Sequence, residues 1–115
     1  MIPQQQTINY QSIYNMYNTD KEKGLSIISN MDNQNINSLV LNSYHNSHEN
    51  FTMWIVQNRQ FEASEKLLIE LSINNETDLL MLLVKHTCTK SVLDVLKLNA
   101  EFNNNDILCE FLSTI

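Results

Sequence analysis

Short antiparallel α-helices are expected along this chain, because three features of the sequence favour them over strands. Its 115 residues include one Gly and one Pro, whereas tight hairpins draw on Gly for left-handed turns. Leu, Ile, Glu and Lys run in long stretches that favour helix. Residues 51–57 (FTMWIVQ) return, much altered, as residues 88–94 (CTKSVLD), an offset of 37. A period in that range signals stacked helical repeats, about three in a chain of this length.

Residues 1–9 are polar, Gln-rich and carry the Pro, which reads as a flexible N-terminal end; residues 10–115 read as a single helical domain. A first helix is expected to begin near Tyr10. Thr19 and Glu22 have capping-box spacing, in which Thr accepts from a helical N–H and Glu reaches back. The helix they open, 20–30, has Leu25, Ile27 and Ile28 as its apolar side. A turn over 31–35 and a short helix over 36–41 follow. Residues 42–50 (NSYHNSHEN) are polar throughout and predict a loop.

Helices are then expected at 51–59, 62–72, 76–85, 90–98 and 106–113. Leu67, Leu68 and Leu71 recur at helical spacing, as do Leu79, Leu80 and Leu83. Asn75 and Asn105 stand where N-caps belong, since a short side-chain oxygen satisfies the orphan N–H groups there. In the last helix Ile107, Leu108, Phe111, Leu112 and Ile115 form a wide apolar stripe, expected to cap the stack.

The formal charge is −6, with only seven Lys and Arg. Nucleic-acid binding draws most of its affinity from such residues at the phosphates, so a basic or apolar partner is easier to accommodate. Two cysteines, Cys88 and Cys109, are too few for a disulfide framework and fit a reducing compartment. Residues 1–18 lack the apolar run of a signal peptide, and no stretch approaches the ~20 apolar residues of a membrane span. The expected location is cytoplasmic, without membrane contact. The sequons at Asn50 and Asn75 are read as accidental in so Asn-rich a chain.

Catalytic and metal chemistry find no support in the spacing. His45 and His48 lie in the polar 42–50 stretch, and zinc needs three or four ligands in fixed geometry. His86 and Cys88 are near neighbours on one element, with no orienting third group. Glu62, Glu65 and Glu70 read as a solvated helix face, and Gly24 sits in a helical segment rather than a phosphate loop. A non-enzymatic protein without metal or cofactor is expected.

Residues 84–96 (VKHTCTKSVLDVL) resemble the closing repeat of the Pumilio-type (PUF) RNA-binding domain. Lys85, Thr87, Lys90, Leu93 and Leu96 match by identity and Val92 by type. Residues 51–57 look like the same family's aromatic, small, two variable residues, two aliphatics and Gln. Residues 62–69 follow its next helix, so the likeness spans roughly residues 50–98. It implies PUF-like stacked repeats and single-stranded RNA recognition in post-transcriptional regulation. By position, the base-contacting residues would be Met53, Trp54 and Gln57, then Lys90, Ser91 and Asp94. Gln57 offers hydrogen bonds to a base edge and Trp54 a face for stacking.

Met53 stands where that family has a polar edge-reader, Thr52 and Thr89 where it has a small residue, and the chain is acidic where PUF domains are basic. These departures support the alternative, an acidic all-α protein-interaction module (adaptor, inhibitor or pathogen effector). Its interface would be the same helical face or the C-terminal stripe of Ile107, Phe111, Leu112 and Ile115, with a homodimer through that last helix as one form.

Overall fold

The computed structural model describes residues 10–84 and 89–115. They form eight α-helices: α1 Tyr10–Thr19, α2 Lys21–Ser29, α3 Asn33–His45, α4 Glu49–Asn58, α5 Glu65–Ile73, α6 Thr77–Val84, α7 Lys90–Phe102 and α8 Asp106–Ser113. The all-α expectation holds, and no strand occurs among the described residues. The expected frayed end at 1–9 lies outside them, as do Lys85, His86, Thr87 and Cys88. The chain divides into two compact units, Met1–Arg59 and Gln60–Ile115, each described here by itself.

Short polar side chains set the helix starts. Asp32, Ser64, Thr89 and Asn105 accept from the backbone N–H three residues on, at 2.8, 3.2, 3.4 and 3.0 Å, satisfying donors the first turn leaves orphaned. Asn105 is the N-cap its position foretold. At α2 the cap is Asp20, accepting from Lys23 at 3.3 Å. Thr19, the expected cap, ends α1 instead, its hydroxyl donating to the Asn15 carbonyl at 2.8 Å. Ser64 likewise delays α5 to Glu65, leaving Phe61 and Ala63 buried on a non-helical approach.

The polar 42–50 stretch is not one loop. Helix α3 runs through it to His45, because Ser43 is fully buried and pairs its hydroxyl with that of Thr52 at 2.7 Å. Helix α7 similarly passes its expected end at Leu98 and continues to Phe102. Asn75 is not an N-cap. It takes φ 61° between α5 and α6, matching Ser47 (φ 60°) after α3 and Asn104 (φ 56°) after α7.

Those three positions share one turn. The residue after each closes onto a carbonyl five back: His48 N–H to Ser43, Glu76 to Leu71, and Asn105 to Ala100, at 3.0, 2.9 and 2.9 Å. The left-handed residue itself closes onto a carbonyl three back. This is a Schellman ending, repeated at offsets of 28 and 29 residues, with Ser or Asn in the place Gly usually takes. The hairpins α3–α4, α5–α6 and α7–α8 therefore recur at 28–29 residues. The 37-residue offset instead pairs residues in α4, a second hairpin helix, with Thr89–Asp94 at the start of α7, a first one; Cys88 lies outside the described residues.

In the first unit α1 packs on α2 and α3, and α3 on α4. Ile13, Ile28, Ile36, Val40 and Ile55 are fully buried, each worth about 1.5–3 kcal/mol of burial. Arg59 ties the end of α4 to the C-terminus of α2: its Nε donates to the Ile28 carbonyl at 2.9 Å and its Nη2 to that of Met31 at 2.6 Å. A guanidinium suits that site because the last carbonyls of a helix are orphaned and carry its negative dipole end.

In the second unit α5 packs on α7 and α6 on α8, around Leu67, Leu71, Leu80, Leu96, Leu108 and Leu112. Ser72, near the end of α5, takes Asn99 Nδ2 on its hydroxyl (2.8 Å) and Asn103 Nδ2 on its carbonyl (3.2 Å). Both Asn residues lie near the end of α7, so the two helices run parallel. Asn105 Nδ2 reaches Asn75 Oδ1 and Thr77 Oγ1 at 2.6 and 2.7 Å, latching one turn to the next.

Candidate functional site

The expected RNA-contacting residues fall in both units. Met53, Trp54 and Gln57 lie on α4, while Lys90, Ser91 and Asp94 occupy the first two turns of α7. Gln57, Lys90, Ser91 and Asp94 are exposed, whereas Met53 and Trp54 are half-buried. Trp54 already has ring partners: Tyr17 lies 5.1 Å from it between centroids and Phe51 6.0 Å. It is packed against α1 and α2, with Gly24 beside its ring edge.

The C-terminal stripe needs correction at one residue. Leu112 is fully buried in the core of the second unit and presents nothing to a partner. Phe111 is half-buried, Ile107 in the first turn of α8 is exposed, and so is Ile115 just past its C-cap.

The exposed apolar surface of the second unit includes Ile107 and extends beyond α8. Phe102 is 86 % exposed, Ile107 70 %, Leu98 64 % and Ile73 61 %. Ile73 and Phe102 are equivalent residues of the hairpin repeat, each one position before the C-cap of its helix, on the parallel pair α5 and α7. Ile107 follows the next turn, and Leu98 is one turn of α7 below Phe102. Ile73, Phe102 and Ile107 thus stand exposed at the turn end of the second unit, and Leu98 one turn from it. Exposed Asp94, Glu101 and Asp106 flank them in sequence. Residues 60–115 carry nine Asp and Glu against four Lys, nearly all of the chain's net charge.

The first unit holds a cleft of about 350 Å³. Phe51, 1 % exposed, is its deepest side chain; Tyr14, Tyr17 and His48 are half-buried; Asn18, Glu49 and Asn50 are exposed at the rim. Tyr10, Tyr14 and Tyr17 share one face of α1 because their spacings are four and three. The His48 ring stacks on Tyr14 with centroids 4.0 Å apart and planes 3° apart, and its Nδ1 is hydrogen-bonded to the Tyr10 hydroxyl. Tyr17 and Phe51 meet at 5.0 Å. Burial pushes the Tyr10 hydroxyl above its ordinary value, with charge repulsion from Tyr14 adding to it.

Neither feature was singled out from the sequence as a whole, although Ile107 was already a candidate interface residue. The cleft had a signal in the Tyr10, Tyr14, Tyr17 stripe; its partner His48 was hidden by the polar run around it. The apolar patch had none, since Leu98, Phe102 and Ile107 join only once the turn after α7 is known. Among the described residues no helix is long and apolar enough to cross a membrane. Scans against protein-family models, curated proteins and solved structures each found no match to this chain.

Proposed function

We propose that this chain is a non-enzymatic, cytoplasmic protein-interaction module that docks a basic amphipathic segment on the turn end of its second unit. The observation that carries this reading is the exposure of Ile73, Leu98, Phe102 and Ile107, all more than half exposed and all at or near the ends of α5 and α7 and the start of α8. Large apolar side chains gathered on a surface, rimmed by polar groups, mark interaction sites. The acidic residues around them favour Lys and Arg on the partner and disfavour a second copy of the same face. Cys109, a free half-buried thiol, is in keeping with a reducing compartment.

The test is fluorescence anisotropy with labelled helical peptides carrying Leu or Phe at i, i+3, i+4 and i+7 and Lys or Arg on the flanks. Saturable binding, lost in a Leu98→Ser/Phe102→Ser variant that keeps its helical circular dichroism, is the expected result. Equal binding by that variant would remove the patch from the function.

A second reading, PUF-like RNA recognition, is favoured by the exposure of Gln57, Lys90, Ser91 and Asp94 on the two expected reading helices. Under it, a short labelled RNA library binds saturably, with affinity falling steeply as salt rises. The peptide titration run beside it separates the two readings directly.

A further inference from the structure

At the 29-residue offset between the turns at Asn75 and Asn104, Ile69 and Ile73 of α5 correspond to Leu98 and Phe102 of α7, and exposed Glu65 to exposed Asp94. Each helix thus repeats an acidic and two apolar residues at spacings of four, which share one face. Buried Leu67 and Leu71 precede the first apolar pair by two residues, as buried Leu96 and Ala100 precede the second. Two residues turn a helix by about 200°, so both faces point nearly opposite to the core. In α3 the same positions hold Asn37, Leu41 and His45, so the hairpin itself does not demand this series.

A further stacked hairpin would not cover this face. Helix α7 already packs on α5, yet Ile73 stays 61 % exposed. The stacking side of α5 is marked instead by Ser72, which takes Asn99 and Asn103 of α7, and by Leu68 one turn before it, both buried. Their equivalents on α7 are Lys97 and Glu101, a polar pair.

Spacing selects the backbone of the occupant. Packed helix axes lie about 8–10 Å apart, so equivalent side chains on the parallel α5 and α7 recur at about that interval. Two residues seven apart on a helix rise about 10 Å and share a face. A strand covers ~10 Å in three residues, and its alternation sends those two side chains to opposite faces. Glu65 and Asp94 recur at the same interval along one border. Lys66 and Lys90 lie near them, but nine Asp and Glu against four Lys over residues 60–115 leave the surroundings acidic, which suits a basic partner.

We propose, resting on the docking function of the second unit, that the occupant is a basic amphipathic α-helix of another protein lying across α5 and α7. It sets apolar residues seven apart, one on Ile69 and Ile73 and one on Leu98 and Phe102, with Lys or Arg seven apart on the flank over Glu65 and Asp94.

Three labelled peptides are titrated against the whole chain by fluorescence anisotropy. One is helical with Leu anchors and flanking Lys at a spacing of seven; the second has the anchors eleven apart; the third keeps seven but carries Pro between the anchors. The first is expected to bind saturably and the others about tenfold more weakly. Ile73→Ser should weaken the first about tenfold with circular dichroism unchanged, as Phe102→Ser does, and Glu65→Gln/Asp94→Asn about threefold. Binding that needs Leu98 and Phe102 but is indifferent to Ile73→Ser, or that is equal for the shifted or proline peptide, overturns the crossing helix and leaves docking at the second unit intact. No saturable binding by any peptide, or binding indifferent to Leu98→Ser/Phe102→Ser, overturns both.

Discussion

A Cβ added to Gly24 would lie 3.2 Å from Cη2 of Trp54. The lone glycine of the chain is thus not a turn residue. It sits buried in the first turn of α2, where the absence of a side chain lets the indole edge rest against the helix. The same placement gives Trp54 a structural task, because a ring engaged by Gly24, Tyr17 and Phe51 has less face left for a nucleobase.

Trp54→Ala should therefore destabilise the protein by about 2–4 kcal/mol, somewhat below the range for fully buried aromatic truncations. Gly24→Ala gains helix propensity of about 1 kcal/mol but crowds the indole. Its effect should be about 0.5–1 kcal/mol more favourable in a Trp54→Phe background than alone. Urea unfolding of the four proteins reads this coupling; additive effects would show that the contact carries no energy.

Helices with a plain apolar period were legible from sequence, as α5, α6 and α8 show. Element boundaries were less so, for local reasons. Ser43 and Thr52 look like loop residues until their hydroxyls meet across α3 and α4, which lets helix continue through a polar run. Asn75 reads equally as an N-cap or as a left-handed turn residue, since a short amide serves both. Repeat spacing was masked because the recurring physical element is a backbone turn at Ser47, Asn75 and Asn104, polar residues common throughout this chain, whose hydrogen bonds leave no apolar signature. The exposed patch combines residues from α5, α7 and α8, and helix pairing is not written in any one segment.

Arg59 is the one arginine of the chain, and it binds two carbonyls from the end of α2. Arg59→Ala should cost about 2–3 kcal/mol, through lost charge-assisted hydrogen bonds at a helix C-terminus. Arg59→Lys should recover less than half, because a single ammonium does not reproduce the fork that reaches Ile28 and Met31 together. Chemical unfolding midpoints at constant m-value check both; full rescue by Lys would mean that charge alone matters.

The three Schellman turns hold non-glycine residues at positive φ, where a left-handed backbone costs roughly 1–2 kcal/mol for ordinary side chains and less for Asn. Asn104, exposed and with φ 56°, is the cleanest site. Asn104→Gly is expected to be neutral or to stabilise by up to about 0.5 kcal/mol, and Asn104→Val to destabilise by about 1–2 kcal/mol. Thermal unfolding of both variants tests this, and a stabilising Val would contradict the left-handed geometry.

The raised Tyr10 value sets a pH dependence at the alkaline end. As pH rises past the ordinary tyrosine value of 10.0, the unfolded chain releases this proton first, so the folded state loses stability. Below that value the contribution is fully present, and it disappears as the pH climbs through the folded-state value. Tyr10→Phe should flatten the decline in unfolding free energy between pH 9 and 11. An unchanged slope would mean that Tyr10 does not govern it.

Leu112 and Phe102 separate a core role from a surface one within the second unit. Leu112 is fully buried and Phe102 is 86 % exposed, although both belong to apolar stretches that look alike in sequence. Leu112→Ala should cost about 2–5 kcal/mol, through lost transfer energy and an unfilled cavity. Phe102→Ser should stay within about 0.5 kcal/mol of the parent, as surface changes do, since it removes no buried area. Paired denaturation curves decide the matter. A large loss at Phe102 would place it in the core and leave the docking patch without its centre, whereas indifference means that folding does not require this side chain on the surface.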